Sequence, residues 1–150
     1  MTQIPRAALI LGLAGLIPFL FGTATLYSTA LAQWGVSALG PRFVGPYVQV
    51  FYGTIILSFM SGVLWGFATQ ATGAVAATGY ALSVIPALWA FFMVGGGANA
   101  AAFYLAGGFI GLLALDYMYW KQELAPPWWM QLRILLTSIV VVCLGLTAYA

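Results

Sequence analysis

The 150-residue chain has no histidine, one cysteine, one asparagine and only six charged side chains, two of them acids. Each shortage removes a class of chemistry. Without histidine there is no imidazole to ligate haem, zinc or chlorophyll, and no Ser-His-Asp or Cys-His set for nucleophilic catalysis. One cysteine and two acids cannot assemble an ordinary protein metal site. Cys143 lies deep in an apolar run, where a small buried hydrophobe is expected rather than a reactive thiol. No glycine-rich loop with a lysine is available for nucleotide phosphates, and Gly95, Gly96 and Gly97 form a turn between apolar runs. The net charge of +2 is scattered and lacks the basic patch that nucleic acid requires. Rings or relays of charge, which mark channels and pumps, are missing too. The inventory therefore predicts no catalytic residue, no cofactor, no metal and no enzyme.

What remains is apolar. Hydrophobic residues make up 64% of the chain and charged residues 4%, against about 25% charged in a soluble domain. This predicts an all-α integral membrane protein. About 20 apolar residues cross a bilayer as a helix, and five such runs are present, at about 5–27, 47–69, 74–94, 98–120 and 128–149, in one transmembrane domain covering 1–150. The strands of an outer-membrane barrel would alternate polar and apolar residues, whereas these runs are apolar on every face. The first run, with Arg6 before it and Ala30-Leu31-Ala32 after it, imitates a signal peptide but exceeds the 7 to 15 residues of a signal core. It is expected to be a retained span. Pro18 should kink the first helix unless a neighbour satisfies the carbonyl it frees, and the third run carries Pro86. The long connection 28–46 mixes apolar residues with Gly40-Pro41 and Gly45-Pro46 and is expected to lie along the interface. Asn99 is placed to cap the fourth helix.

Four of the six charges, Asp116, Lys121, Glu123 and Arg133, fall in the stretch from Leu115 to Arg133, fenced by Tyr117, Tyr119, Trp120, Trp128 and Trp129. Amphipathic rings settle at headgroup level, so these aromatics are expected to be interface anchors around a helical hairpin. Asp116 lies four residues before Trp120 and Arg133 four after Trp129, so each sits about 6 Å inside the aromatic belt. A structural ion pair is the favoured expectation over a proton-handling site, because the cost of charge falls near the surface. The opposing expectation is that Arg133 snorkels to the headgroups and Asp116 to water. Counting basic residues, Arg6, Lys121 and Arg133 share one side and Arg42 the other. The positive-inside rule then places the N-terminus in the cytoplasm and the C-terminus in the periplasm of a bacterial inner membrane.

Small residues recur at helix-packing spacing. Ser58, Gly62 and Gly66 follow one another by four, as do Gly107 and Gly111, and Gly79 and Ser83. Such faces let helix backbones approach closely where lipid offers no hydrophobic drive. Packing within the bundle is expected of them, with docking of another membrane protein as the alternative. Trp65 beside Gly66 either covers such a contact or belongs to the aromatic belt.

The segments PRAALILGLAGLIPF, YVQVFYGTIILSFMSGVLWG, YALSVIPALWAFF and PPWWMQLRILLT, in this order, resemble the uncharacterised inner-membrane family that includes mitochondrial transmembrane protein 69. The SF-x-x-G-x-x-WG and PWW-x-x-LR elements are its more specific parts. The resemblance implies an inner-membrane protein of about five helices and brings no activity with it. Its matched elements direct attention to Ser58, Phe59, Gly62, Trp65, Gly66, Pro86, Asp116, Pro127, Trp128, Leu132 and Arg133.

Three readings stay open. One is an accessory or assembly subunit packed in the bilayer against a larger respiratory or photosynthetic complex, with lipid, quinone or pigment in contact. Another is a small-molecule sensor or carrier with a pocket between helices; its size and tryptophan content resemble the tryptophan-rich sensory proteins, whose motifs are absent. The third, an enzyme acting on lipid or quinone, finds no residue set to support it.

Overall fold

The computed structural model describes residues 3–150. Among these the chain is all helical, and five segments are long and apolar enough to cross a membrane: Arg6–Tyr27, Tyr47–Ala68, Gly73–Met93, Ala98–Lys121 and Trp129–Ala148. In hydrocarbon every backbone polar group must be satisfied within the protein, and helices that are apolar all round meet that demand.

The first span is two helices, α1 (Arg6–Ala14) and α2 (Ile17–Tyr27). Pro18 stands in the first turn of α2 and has no N–H to offer the carbonyl of Ala14. The chain bridges the break with a tighter turn, in which the Leu16 N–H donates to Leu13 O at 3.0 Å.

Most of the connection 28–46 is helical. It forms α3 (Thr29–Leu39) and a 3-10 turn at Pro41–Phe43. Ser28 caps α3 by accepting from the Leu31 N–H at 3.2 Å, and Gly40, at φ +107°, ends it. The breakers fall after the helix, so they terminate it rather than prevent it. Eleven residues reach about 16 Å, too short to cross. Beyond it, Arg42 lies over the rings of Phe43 and Phe51, 5.4 and 5.3 Å from their centroids.

The second span is one continuous helix, α4 (Tyr47–Ala68). Pro86 divides the third into α5 (Gly73–Ser83) and α6 (Ile85–Met93). A neighbour compensates here: Ser61 on α4 accepts the Ala87 N–H at 2.8 Å, one of the donors left free where α6 begins. The fourth and fifth spans, α7 (Ala98–Lys121) and α8 (Trp129–Ala148), are unbroken and pack along each other as a hairpin. α4 packs on α7, α2, α5 and α6, so α4 and α7 hold the centre. Leu57 and Leu64 of α4, Leu105, Phe109 and Leu112 of α7, Leu144 of α8 and Phe19 of α2 are fully buried there. Leu11, Ile55, Phe91 and Phe92 are exposed, as suits a surface turned to acyl chains as apolar as they are.

Of the glycines picked out by spacing, Gly79 alone packs closely; the other close contacts are made at glycines outside those stripes. A Cβ added at Gly108 would strike Leu57 and Trp89, one at Gly22 would strike Val48 and Gln49, and one at Gly79 would strike Ala68. At Gly62, Gly66 and Gly111 it would meet nothing within 4 Å, and at Gly107 only Trp89, at 3.8 Å. Ser58 is exposed as well. The expectation that Ser58, Gly62, Gly66, Gly107 and Gly111 pack within the bundle is thus corrected: both stripes face outward. One residue rotates a helix by about 100°, which is the difference between Gly107 on the outside and Gly108 in the groove. The α5 stripe differs, with Gly79 and Ser83 both buried.

Candidate functional site

Trp129 and Arg133 are four residues apart on α8 and therefore share a face, which the hairpin turns toward Asp116 on α7. The Arg133 Nε–H donates to Asp116 Oδ2 at 2.9 Å, and the Trp129 Nε1–H donates to Asp116 Oδ1 at 2.9 Å. Each carboxylate oxygen has its own donor. Asp116 is fully buried and Arg133 is 6% exposed, so neither turns outward to water or headgroups. A buried carboxylate is tolerable only when its charge and lone pairs are matched in place, and the arginine and the indole together do that.

The hairpin that sets this geometry is closed by its own aromatics. The Trp120 Nε1–H donates to Pro127 O at 3.1 Å, and Glu123 takes φ +61° at the turn. Tyr117 is exposed, with Lys121 Nζ 3.4 Å from its hydroxyl, and Trp128 is half-buried. Tyr119 is not an interface anchor. It is 2% exposed, and its hydroxyl donates to Gly79 O on α5. Two residues past Tyr117, a helix has rotated by about 200°, which carries Tyr119 to the inner face. Trp129 also turns inward, edge-on to Phe67 with centroids 5.0 Å apart.

Beside the ion pair lies a cleft of about 330 Å³ between the first span, α4 and α8, with Phe109 of α7 among its lining residues. Arg133 and Thr137 of α8 and Tyr52 of α4 bring polar side chains to its lining. The two on α8 are more than nine-tenths buried, and Arg133 Nη2 and Thr137 Oγ1 have no hydrogen-bond partner among the described residues. Buried polar groups are rarely left unpaired, which marks this cleft as the candidate site.

A second polar cluster occupies the opposite end of the bundle. Gln49 of α4 is fully buried, and its Nε2–H donates to Thr147 Oγ1 of α8 at 3.0 Å, while Thr147 donates to Cys143 O at 2.7 Å. Asn99 does not cap α7, whose N-cap is Gly97. Its amide instead donates to Thr147 O at 3.0 Å, in the last turn of α8, and to Ala150 O at 3.2 Å, just beyond it. Sequence reasoning passed over Gln49, Thr137 and Thr147; the available signal was an amide and two hydroxyls set inside otherwise apolar runs.

The profile of a family described as a protein of unknown function (DUF3429) matches residues 4–149. The chain belongs to this family. Transmembrane protein 69 of Xenopus tropicalis is 34% identical over 141 residues, covering 91% of this chain and 51% of the relative, so the chain spans about half the length of the curated relative it matches. No solved structure matches it. The family description carries no activity, and the polar side chains of both clusters lie within the matched residues.

Proposed function

We propose that this protein is a non-catalytic accessory or assembly subunit of a bacterial inner membrane, with its N-terminus in the cytoplasm and its C-terminus in the periplasm, packed against a larger respiratory or photosynthetic complex. The supporting observation is the outward stripe of Ser58, Gly62 and Gly66, which does no packing inside the chain. In a helix interior glycine is worse than alanine by about 0.5–1 kcal/mol, and a small-residue face admits the backbone of another helix. The occupant proposed is a transmembrane helix of that complex. The test is purification of the full chain from native membranes in a mild detergent. Stable co-migration with a larger complex is expected, and it should be lost with Gly62→Leu, which meets open space in the isolated bundle. A wild-type protein that runs free of any larger assembly would overturn the reading.

A second reading, a small-molecule sensor or carrier, is favoured by one observation: the cleft lined by Arg133 and Thr137, two residues that each carry a buried polar atom without a partner among the described residues. Ligand sites are mostly apolar concavities with a few convergent polar groups, and this cleft has that form.

A further inference from the structure

The geometry points to a ligand of defined chemistry for the cleft: an apolar molecule bearing a neutral carbonyl oxygen that is held between the Arg133 guanidinium and the Thr137 hydroxyl. This rests on the second reading above.

Three observations set the chemistry. The first is the pair of free groups. Arg133 and Thr137 lie four residues apart on α8, on one face; both residues line the cleft, and Arg133 Nη2 and Thr137 Oγ1 are buried without a hydrogen-bond partner among the described residues. Nη2 can only donate and the hydroxyl can donate or accept, so an oxygen acceptor satisfies both. The second is charge. Arg133 already has a counter-ion, since its Nε–H bonds Asp116 Oδ2 and the other carboxylate oxygen is taken by Trp129. A full anion would bring a second negative charge to a balanced pair, whereas a carbonyl accepts hydrogen bonds without disturbing that balance.

The third is shape. Phe19, Phe59, Phe109 and Tyr52 line the cleft, and its volume of about 330 Å³ is near the lower end of ligand sites, roughly 300–1,000 Å³. It suits a ring or the head of a lipid rather than a whole long-chain molecule. Leu11 and Phe59 at its lining are 72% and 65% exposed, so the mouth opens sideways to the surface turned to lipid. A hydrocarbon tail can leave through that mouth. Arg133 lies five residues past Trp128, about 7.5 Å along the helix, and the carbonyl would sit at that depth. The same chemistry is offered by the ring carbonyl of a tailed quinone and by the ester carbonyl of a membrane lipid.

The experiment uses the full chain, delipidated in mild detergent, titrated separately with a decyl-substituted benzoquinone, a short-chain diester lipid, and decylbenzene as the probe without a carbonyl; thermal unfolding and tryptophan fluorescence report binding. Saturable binding of at least one carbonyl probe is expected, at least tenfold tighter than decylbenzene. Binding of the quinone alone identifies a quinone source, the diester alone a lipid source, and both show that the carbonyl is what is read. Thr137→Val, which leaves the ion pair in place, should weaken the carbonyl probe about tenfold and leave decylbenzene unchanged. Arg133→Lys keeps the positive charge beside Asp116 and should weaken it further. Equal binding of decylbenzene and the carbonyl probes, or binding indifferent to Thr137→Val, would overturn the carbonyl assignment while leaving a ligand cleft. No saturable binding by any probe would remove the cleft reading itself.

Discussion

The two ends of the bundle solve the same problem with different chemistry. At the hairpin end a carboxylate, a guanidinium and an indole close on one another across α7 and α8. At the opposite end an amide, a hydroxyl and helix-end carbonyls do so across α4, α7 and α8. The charged cluster joins residues 17 apart in sequence and the neutral one residues up to 98 apart. The charged group depends on both partners, because losing one strands a full charge away from water. The neutral group tolerates imperfection, as Gln49 Oε1 already has no partner among the described residues.

That difference ranks the substitutions. Asp116→Ala should have the largest effect, since it leaves Arg133 buried without its counter-ion; losses of about 3–5 kcal/mol accompany such changes. Thermal unfolding in detergent would measure it. Asp116→Leu combined with Arg133→Met should recover most of that loss, because replacing a buried pair by apolar groups is often neutral; a double variant as weak as the single would make the pair more than a matched charge. Next comes Gly22→Ala, whose Cβ would run into Gln49 and Val48. Overpacking of this kind costs about 1–3 kcal/mol, read as a lowered unfolding midpoint. Gln49→Leu should cost no more than about 1 kcal/mol, because it removes one hydrogen bond together with an already unpaired oxygen. Should it equal Asp116→Ala in an unfolding assay, the contrast between the two ends fails. Asn99→Ala is expected to be smallest, about 0.5 kcal/mol or less, since Asn99 is exposed and water can take over its carbonyl partners; hydrogen exchange at the last turn of α8 would be the sensitive readout.

The same contrast explains what was legible in the sequence. The spans could be placed from length and hydropathy alone, and the breaks at Pro18 and Pro86 follow from a missing N–H. Asp116 and Arg133 stood out because charge is so scarce here. What could not be read was rotation. A helix apolar on every face carries no amphipathic phase to show which side turns inward. Hence Tyr119 could be counted with Tyr117 although it faces Gly79, and Gly107 could stand in for Gly108. The neutral cluster was hidden for another reason: Gln49 and Thr147 lie in different runs, and no local pattern joins them. The α3 helix was obscured by the breakers that follow it.

The bond between Gln49 and Thr147 has a consequence for how the bundle comes into being. Ribosomes deliver the second span well before the fifth, so Gln49 enters the bilayer while Thr147 is still to be made. An amide in hydrocarbon without its partner is costly, and the early helices must therefore wait in an incomplete state. The Asp116–Arg133 pair closes when α8 joins α7 in the hairpin, and the same arrival of α8 supplies the hydroxyl that Gln49 lacks. The fifth span thus acts as the latch of assembly, and a chain halted before it would carry in Gln49 a built-in mark of being unfinished.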